Sequence, residues 1–227
     1  MTRERINDCG VIFDVDGVLV DSHAAHFHSW LALADETGCH RMTEEEFRQS
    51  FGRTTRETIA DLWPDEQLTP EIVEQLDNRK EKLFRDLLRD HFTPVPGAAA
   101  LIGAFKEAGF RLAAGSSGPP PNVHLVLDHL QCRDLFDTVI TGVDVSRGKP
   151  HPEVFLMCAA RLALSPQRCA VIEDAVVGIQ AANRAGCLSI AFVAPGRDTD
   201  PFHEADHIVR GLDALSPALI HGWLKAA

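Results

Sequence analysis

The chain has 227 residues, of which 45% are hydrophobic and 24% charged, and its net charge is −11. That length holds one domain, or a core carrying an inserted unit, and the composition is that of a soluble globular protein. The acidity excludes a nucleic-acid surface, which needs basic patches, but leaves small anionic substrates open because those answer to local fields and bound cations.

The N-terminus, Met-Thr-Arg-Glu-Arg-Ile-Asn-Asp, is charged and has no apolar stretch behind it before the first strand, so a secretory signal is not expected. No run of about 18 apolar residues follows anywhere, so no membrane helix is expected. The first predicted strand is Gly10–Asp14. From about Ser22 to His91 the pattern is helical throughout, punctuated by Pro64 and Pro70. In its first helix Ala25, Ser29, Ala32 and Glu36 mark an outer face, against apolar Phe27, Trp30, Leu31 and Ala34. Ile72, Leu76, Arg79, Leu83 and Leu87 continue the helical spacing later. The chain returns at Thr93-Pro-Val-Pro-Gly97.

Single helices and strands then alternate. Helices are predicted over Gly97–Ala108, Pro120–His129, Pro152–Leu162 and Ala175–Ala185, the last stopped by Gly186. Strands are predicted over Phe110–Gly115, Thr138–Thr141, Ala170–Ile172, Ser189–Val193 and His207–Val209. Right-handed crossovers of this kind give a parallel sheet covered on both faces, hence an α/β core with a helical insert after strand one. The six cysteines are scattered with no C-x-x-C pair, as expected for reduced thiols in a cytoplasmic protein. Tyrosine is absent, which removes phenolic acid–base chemistry.

Parallel sheets bind ligands beyond the carboxyl ends of their strands. Strand one delivers Asp14 and Asp16, two carboxylates inside the apolar run GVIFDVDGVLVD, and burying them needs a compensating positive charge. Strand two delivers Ser116 with Ser117 beside it, strand three Lys149, and strand four Glu173 and Asp174. Asp14, Asp174 and a backbone carbonyl near Asp16 are hard oxygen ligands that suit Mg²⁺, the missing positive charge. Ser116 and the amides after it suit phosphate oxygens, and Lys149 suits both the phosphate and the acids. Asp14 can then attack phosphorus, while Asp16, across a turn that Gly17 permits, protonates the leaving oxygen and later deprotonates water. Gly142 to Gly148-Lys149 is no Walker loop, because five residues intervene and Pro150 follows. His23, His26 and His28 do not share one helix face well enough to ligate a metal together.

Asp14-x-Asp16-Gly, Ser116, Lys149 and Glu173-Asp174, in that order, resemble the haloacid dehalogenase-like hydrolases over nearly the whole chain. Within them the chain looks most like the β-phosphoglucomutase-like phosphatases. The resemblance implies a Rossmann-like core over 1–21 and 92–227, with an α-helical cap over 22–91. It implies Asp14 as nucleophile, Asp16 as acid/base and a metal site of Asp14, Asp16, Glu173 and Asp174. It also implies that His26 lies near the reacting groups, and that Arg56 and Lys80 in the cap bind substrate. Mutases of the family carry Ser-x-Ser followed by Lys-Asn, whereas this chain reads Ser116-Ser117-Gly118-Pro119-Pro120. The expectation is therefore a Mg²⁺-dependent phosphomonoesterase acting on a small phosphorylated metabolite, with a sugar-phosphate mutase as the alternative. A response-regulator receiver would place its acceptor aspartate after a later strand and has no insert of some seventy residues.

Overall fold

The apolar runs pair into a parallel sheet in a computed structural model that describes residues 8–64 and 68–226. Most of the charged N-terminal stretch thus lies outside the described residues. The strands are β1 (Gly10–Phe13), β2 (Arg111–Gly115), β3 (Thr138–Ile140), β4 (Cys169–Glu173), β5 (Leu188–Phe192) and β6 (His207–Val209), ordered β3-β2-β1-β4-β5-β6. Phe13 of β1 pairs with Ala114 of β2 on one side and Ile172 of β4 on the other. That register brings Asp14, Ser116 and Glu173 to one rim.

Strand β1 is buried on both faces, as a central parallel strand must be. Val11 and Phe13 face one core, which takes Leu101, Ile102 and Phe105 of α5 (Ala98–Ala108), Val123 and Val126 of α6 (Pro120–His129), and Ile220 of α9 (Pro217–Ala226). Ile12 faces the opposite core, with Val154, Phe155 and Cys158 of α7 (Glu153–Arg161) and Ala181 and Ala182 of α8 (Val176–Ala185). The alternation is the period of two expected of a strand. Helix α8 ends at Gly186 in the left-handed conformation (φ +78°), as its sequence predicts.

Between β1 and α5 lie α1 (His23–Thr37), α2 (Glu44–Ser50), α3 (Thr55–Leu62) and α4 (Pro70–Asp90). Thr43 with Glu46 and Thr54 with Glu57 form capping boxes that start α2 and α3, and Thr69 with Pro70 starts α4. These helices enclose a separate apolar cluster of Trp30, Leu33, Met42, Phe47, Ile59 and Trp63, while Phe84 and Leu88 of α4 join the core under the sheet. The two crossings into the insert run side by side. Val20 bridges Pro94, Asp21 N–H donates to Thr93 O, and Val95 N–H donates to Leu19 O.

Two expectations are corrected. Ser29 is not on the outer face of α1. It is fully buried and its hydroxyl donates to His26 O at 2.7 Å, a local bond that removes the need for water. In α4 the buried positions are Lys80, Glu81, Phe84 and Leu88, while Ile72 and Arg79 are exposed. Charged residues lie on the packed side of that helix because they pair there.

Candidate active site

Lys149 organises the rim. It sits in the loop after β3, 2% exposed, and its ammonium donates to Asp14 Oδ1 at 2.6 Å, Glu173 Oε1 at 2.6 Å and Gly115 O at 3.4 Å. Three N–H groups thus meet three acceptors from three adjacent strands. Burial alone would lower the Lys149 pKa, but Asp14 and Glu173 outweigh it and raise it, so the cation stays charged.

The carboxylates of Asp14, Glu173 and Asp174 converge, each with one oxygen within 4.8 Å of the others. Burial raises the Asp14 pKa, with Lys149 opposing and Glu173, Asp16 and Asp174 adding repulsion. Burial and Glu173 push Asp174 up to about 8 against the pull of Arg197, whose Nη1 donates to Asp174 Oδ2 at 3.0 Å. Glu173 has both oxygens committed, one to Lys149 and the other to Ala175 N–H at 2.7 Å. Asp174 Oδ1 is buried with no partner. Gly17 (φ +79°) lies over this group, and a Cβ there would come within 2.2 Å of Asp174 Oδ2. A trio of crowded carboxylates with an unsatisfied oxygen fits a hard divalent cation, with Asp14 and Asp174 as the side chains that have an oxygen to give.

Asp16 does not join that trio. Its Oδ1 lies 3.1 Å from His26 Nε2 of α1. Burial raises its pKa, but His26, Ser22 and Lys80 together lower it. Lys80 Nζ donates to His26 Nδ1 at 2.9 Å, and an ammonium has only donors. His26 Nδ1 is therefore an acceptor, and Nε2 is the nitrogen beside Asp16, whose Oδ1 makes no hydrogen bond among the described residues. Phe84 stacks on the His26 ring, with centroids 3.8 Å apart.

Ser116, 1% exposed, accepts at its hydroxyl oxygen from Gly118 N–H (3.0 Å), and Ser117 Oγ donates to Gly52 O of the insert at 2.7 Å. Gly148 N–H also reaches Glu57 of α3. Core and insert are thus stitched together around a pocket lined by Asp14, Asp16, His26, Lys80, Ser116, Ser117 and Lys149. Arg56 is not in that wall. It opens on the neighbouring cleft, 60% exposed, with Nε donating to Asp77 at 2.7 Å.

Sequence reasoning missed Glu81 and Arg197. Glu81 follows Lys80 directly, and neighbours on a helix do not ordinarily face each other, so spacing gave no sign of the pair. Arg197 lies beyond the fifth strand end, in Ala194-Pro-Gly-Arg197, where the same strand-end reasoning would have found it.

The family model for haloacid dehalogenase-like hydrolases matches residues 11–192. The β-phosphoglucomutase of Bacillus subtilis is 30% identical over 93% of this chain and 93% of its own length. The phosphorylated carbohydrates phosphatase of Thermotoga maritima is 32% identical, covering 78% of this chain and 81% of its own. A crystal structure of β-phosphoglucomutase from Clostridium difficile superposes with a TM-score of 0.86 at 26% identity, over 96% of this chain and 97% of that one. With an acidic rim built at the ends of its central strands and a family match across most of its length, this chain belongs to the haloacid dehalogenase-like hydrolases.

Proposed function

We propose that the chain is a Mg²⁺-dependent phosphomonoesterase acting on a small phosphorylated metabolite, sugar phosphates first among them, through an aspartyl-phosphate on Asp14. The observation that carries this reading is the Lys149 ammonium bridging Asp14 and Glu173. It fixes Asp14 Oδ1, whose remaining lone pair would serve the metal, and leaves Oδ2 to approach phosphorus, with Ser116 beside the path. Asp14 and Asp174, with the main-chain carbonyl at Asp16, would hold the magnesium ion, which when bound supplies positive charge against the phosphoryl oxygens.

In the first half, an Asp14 oxygen forms a bond to phosphorus as the ester oxygen leaves, taking a proton from Asp16. Asp16 must enter that step protonated against the lowering by His26, Ser22 and Lys80, and the negative charge of an arriving phosphate favours that form, with His26 Nε2 3.1 Å from its Oδ1. In the second half, Asp16 takes a proton from water. The water oxygen attacks phosphorus, the Asp14–phosphorus bond breaks, and inorganic phosphate leaves. Residues 22–91 act as a cap over a core of 1–21 and 92–227, closing through Ser117 and Gly148 to exclude bulk water. The scattered, unpaired cysteines support a cytoplasmic location for the enzyme.

The mutase reading draws on the likeness to β-phosphoglucomutase and on the stretch Asp21-Ser-His-Ala-Ala-His26-Phe-His-Ser-Trp30, which is similar to the mutases' segment after the nucleophile. The phosphatase is favoured because Gly118 and Pro119 stand where a second phosphate contact and a cation would be. Phosphate release from p-nitrophenyl phosphate and a sugar-phosphate panel, with magnesium and with EDTA, tests it. Magnesium-dependent release, and a phosphorylated Asp14 peptide in quenched samples, is the expected result. Isomerisation of a sugar phosphate primed by a bisphosphate, without net release, would replace it with the mutase.

A further inference from the structure

The pocket wall away from Asp14 includes Trp30, Phe51, Thr55 and Glu81. Three cations stand on or near it, and each already faces a carboxylate: Arg53 with Asp61, Arg56 with Asp77, and Lys80 with Glu81. The first two pairs reach solvent. The third does not, for Lys80 is 2% and Glu81 4% exposed, with 2.9 Å between Nζ and Oε1. Glu81 also accepts from Thr55 on α3 and from Asn122 on α6, and Asn122 is held in turn by Arg85. Burial raises the Glu81 pKa, but Lys80, His26 and Thr55 outweigh it and hold it below the usual range, so the charge persists at neutral pH. A buried cation matched by its neighbour has no net charge to offer an arriving anion. A second phosphate placed there would meet the Glu81 carboxylate in a medium that screens poorly. What remains are the aromatic faces of Trp30 and Phe51, the acceptor side of the Thr55 hydroxyl and a Glu81 carboxylate already shared among Lys80, Thr55 and Asn122, which suit an uncharged hydroxylated carbon chain better than an anion.

We propose that Glu81 is the specificity-determining residue of the pocket: by neutralising Lys80 it admits the uncharged, hydroxylated end of a sugar or polyol monophosphate and shuts out substrates bearing a second phosphate. This deepens the phosphomonoesterase reading and rests on it. The buried pair distinguishes this wall from one built to grip phosphate at both ends of a substrate.

Calorimetry on an Asp14→Asn protein with magnesium present tests the proposal without turnover. Fructose 6-phosphate is expected to bind at least about tenfold more tightly than fructose 1,6-bisphosphate. Adding Glu81→Gln keeps the shape and removes the charge, and should shift that ratio at least about tenfold toward the bisphosphate. The ratio of kcat/KM for the two substrates, measured in proteins that retain Asp14, should move the same way, and any general loss of activity cancels in it. Equal or tighter binding of the bisphosphate by the Asp14→Asn protein overturns the proposal, whether or not the Gln variant folds. So does a folded Gln variant with an unchanged ratio. Failure of the Asp14 enzyme to hydrolyse any phosphomonoester, including p-nitrophenyl phosphate, would instead overturn the phosphatase reading and leave the calorimetry to judge the pocket.

Discussion

Lys149 and Asp14 lie 135 residues apart in sequence and 2.6 Å apart in space, joined by a buried ion pair. Removing one member of such a pair leaves the other charge uncompensated, which costs about 3–5 kcal/mol. Lys149→Met should therefore lower stability by about that amount in urea titration. Phosphatase turnover should fall by at least about a hundredfold, since Asp14 loses the group that aims it. A stable variant with near-normal turnover would remove Lys149 from the site.

Asp16, placed against His26, makes a claim about the leaving group. General acid catalysis contributes roughly 10²–10⁴-fold, and an aryl phosphate needs little of it. Asp16→Asn should slow a sugar phosphate by about that factor and p-nitrophenyl phosphate much less in its first step, which burst kinetics isolate. Equal slowing of the burst for both substrates would show that Asp16 donates no proton.

Gly17 is held at a positive φ with the Asp174 carboxylate where a methyl group would lie. Gly17→Ala strains the backbone by about 1–2 kcal/mol and pushes Asp174 aside. Magnesium affinity by calorimetry should fall by about 10–100-fold, the cost of disturbing a ligand's support. Unchanged affinity would mean that Asp174 does not bind the ion.

His23 stacks on Phe51 with centroids 4.2 Å apart, and its Nε2 is buried without a partner. Burial, then the nearby Arg197 and His26, push its pKa from 6.5 down to about 4, with Asp21 and Asp16 opposing. Between those values the unfolded chain binds the proton and the folded one does not. Its contribution to stability is thus complete above pH 6.5 and lost as pH falls toward 4. Melting temperature should drop across that window, and His23→Gln should flatten the drop. The same slope in both proteins would assign the acid sensitivity elsewhere.

Much of this site was legible because strands announce themselves and their ends are where parallel sheets work. Gly10–Asp14 reads as a buried strand, one residue longer than the observed Gly10–Phe13, so Asp14 is expected at its carboxyl end, and Ser116, Lys149 and Glu173 follow by the same logic. The register that levels Asp14 with Glu173 needs the paired backbone and could not be read from one chain segment. Side chains in the insert were harder. Arg56 and Lys80 looked equivalent as cations on helices, yet one turns to Asp77 at the surface and the other to Glu81 inside. Helical spacing fixes a face only approximately, and the choice between solvent and interior fell to partners 21 and 1 residues away. Helix α9 is absent from the predicted elements, although Ser216-Pro217 is an N-terminal signal and Ile220 packs under the sheet.

The placement of β1 between β2 and β4 carries a last consequence. Asp14 emerges first from a ribosome, but the partners that aim it arrive only after some 160 further residues have been made. A nascent or truncated chain ending before Asp174 would hold Asp14 without the full trio of carboxylates on which the proposed chemistry depends. On the proposed reading, phosphatase activity would require the chain to extend through Asp174, since the acidic rim closes only when β4 pairs with β1.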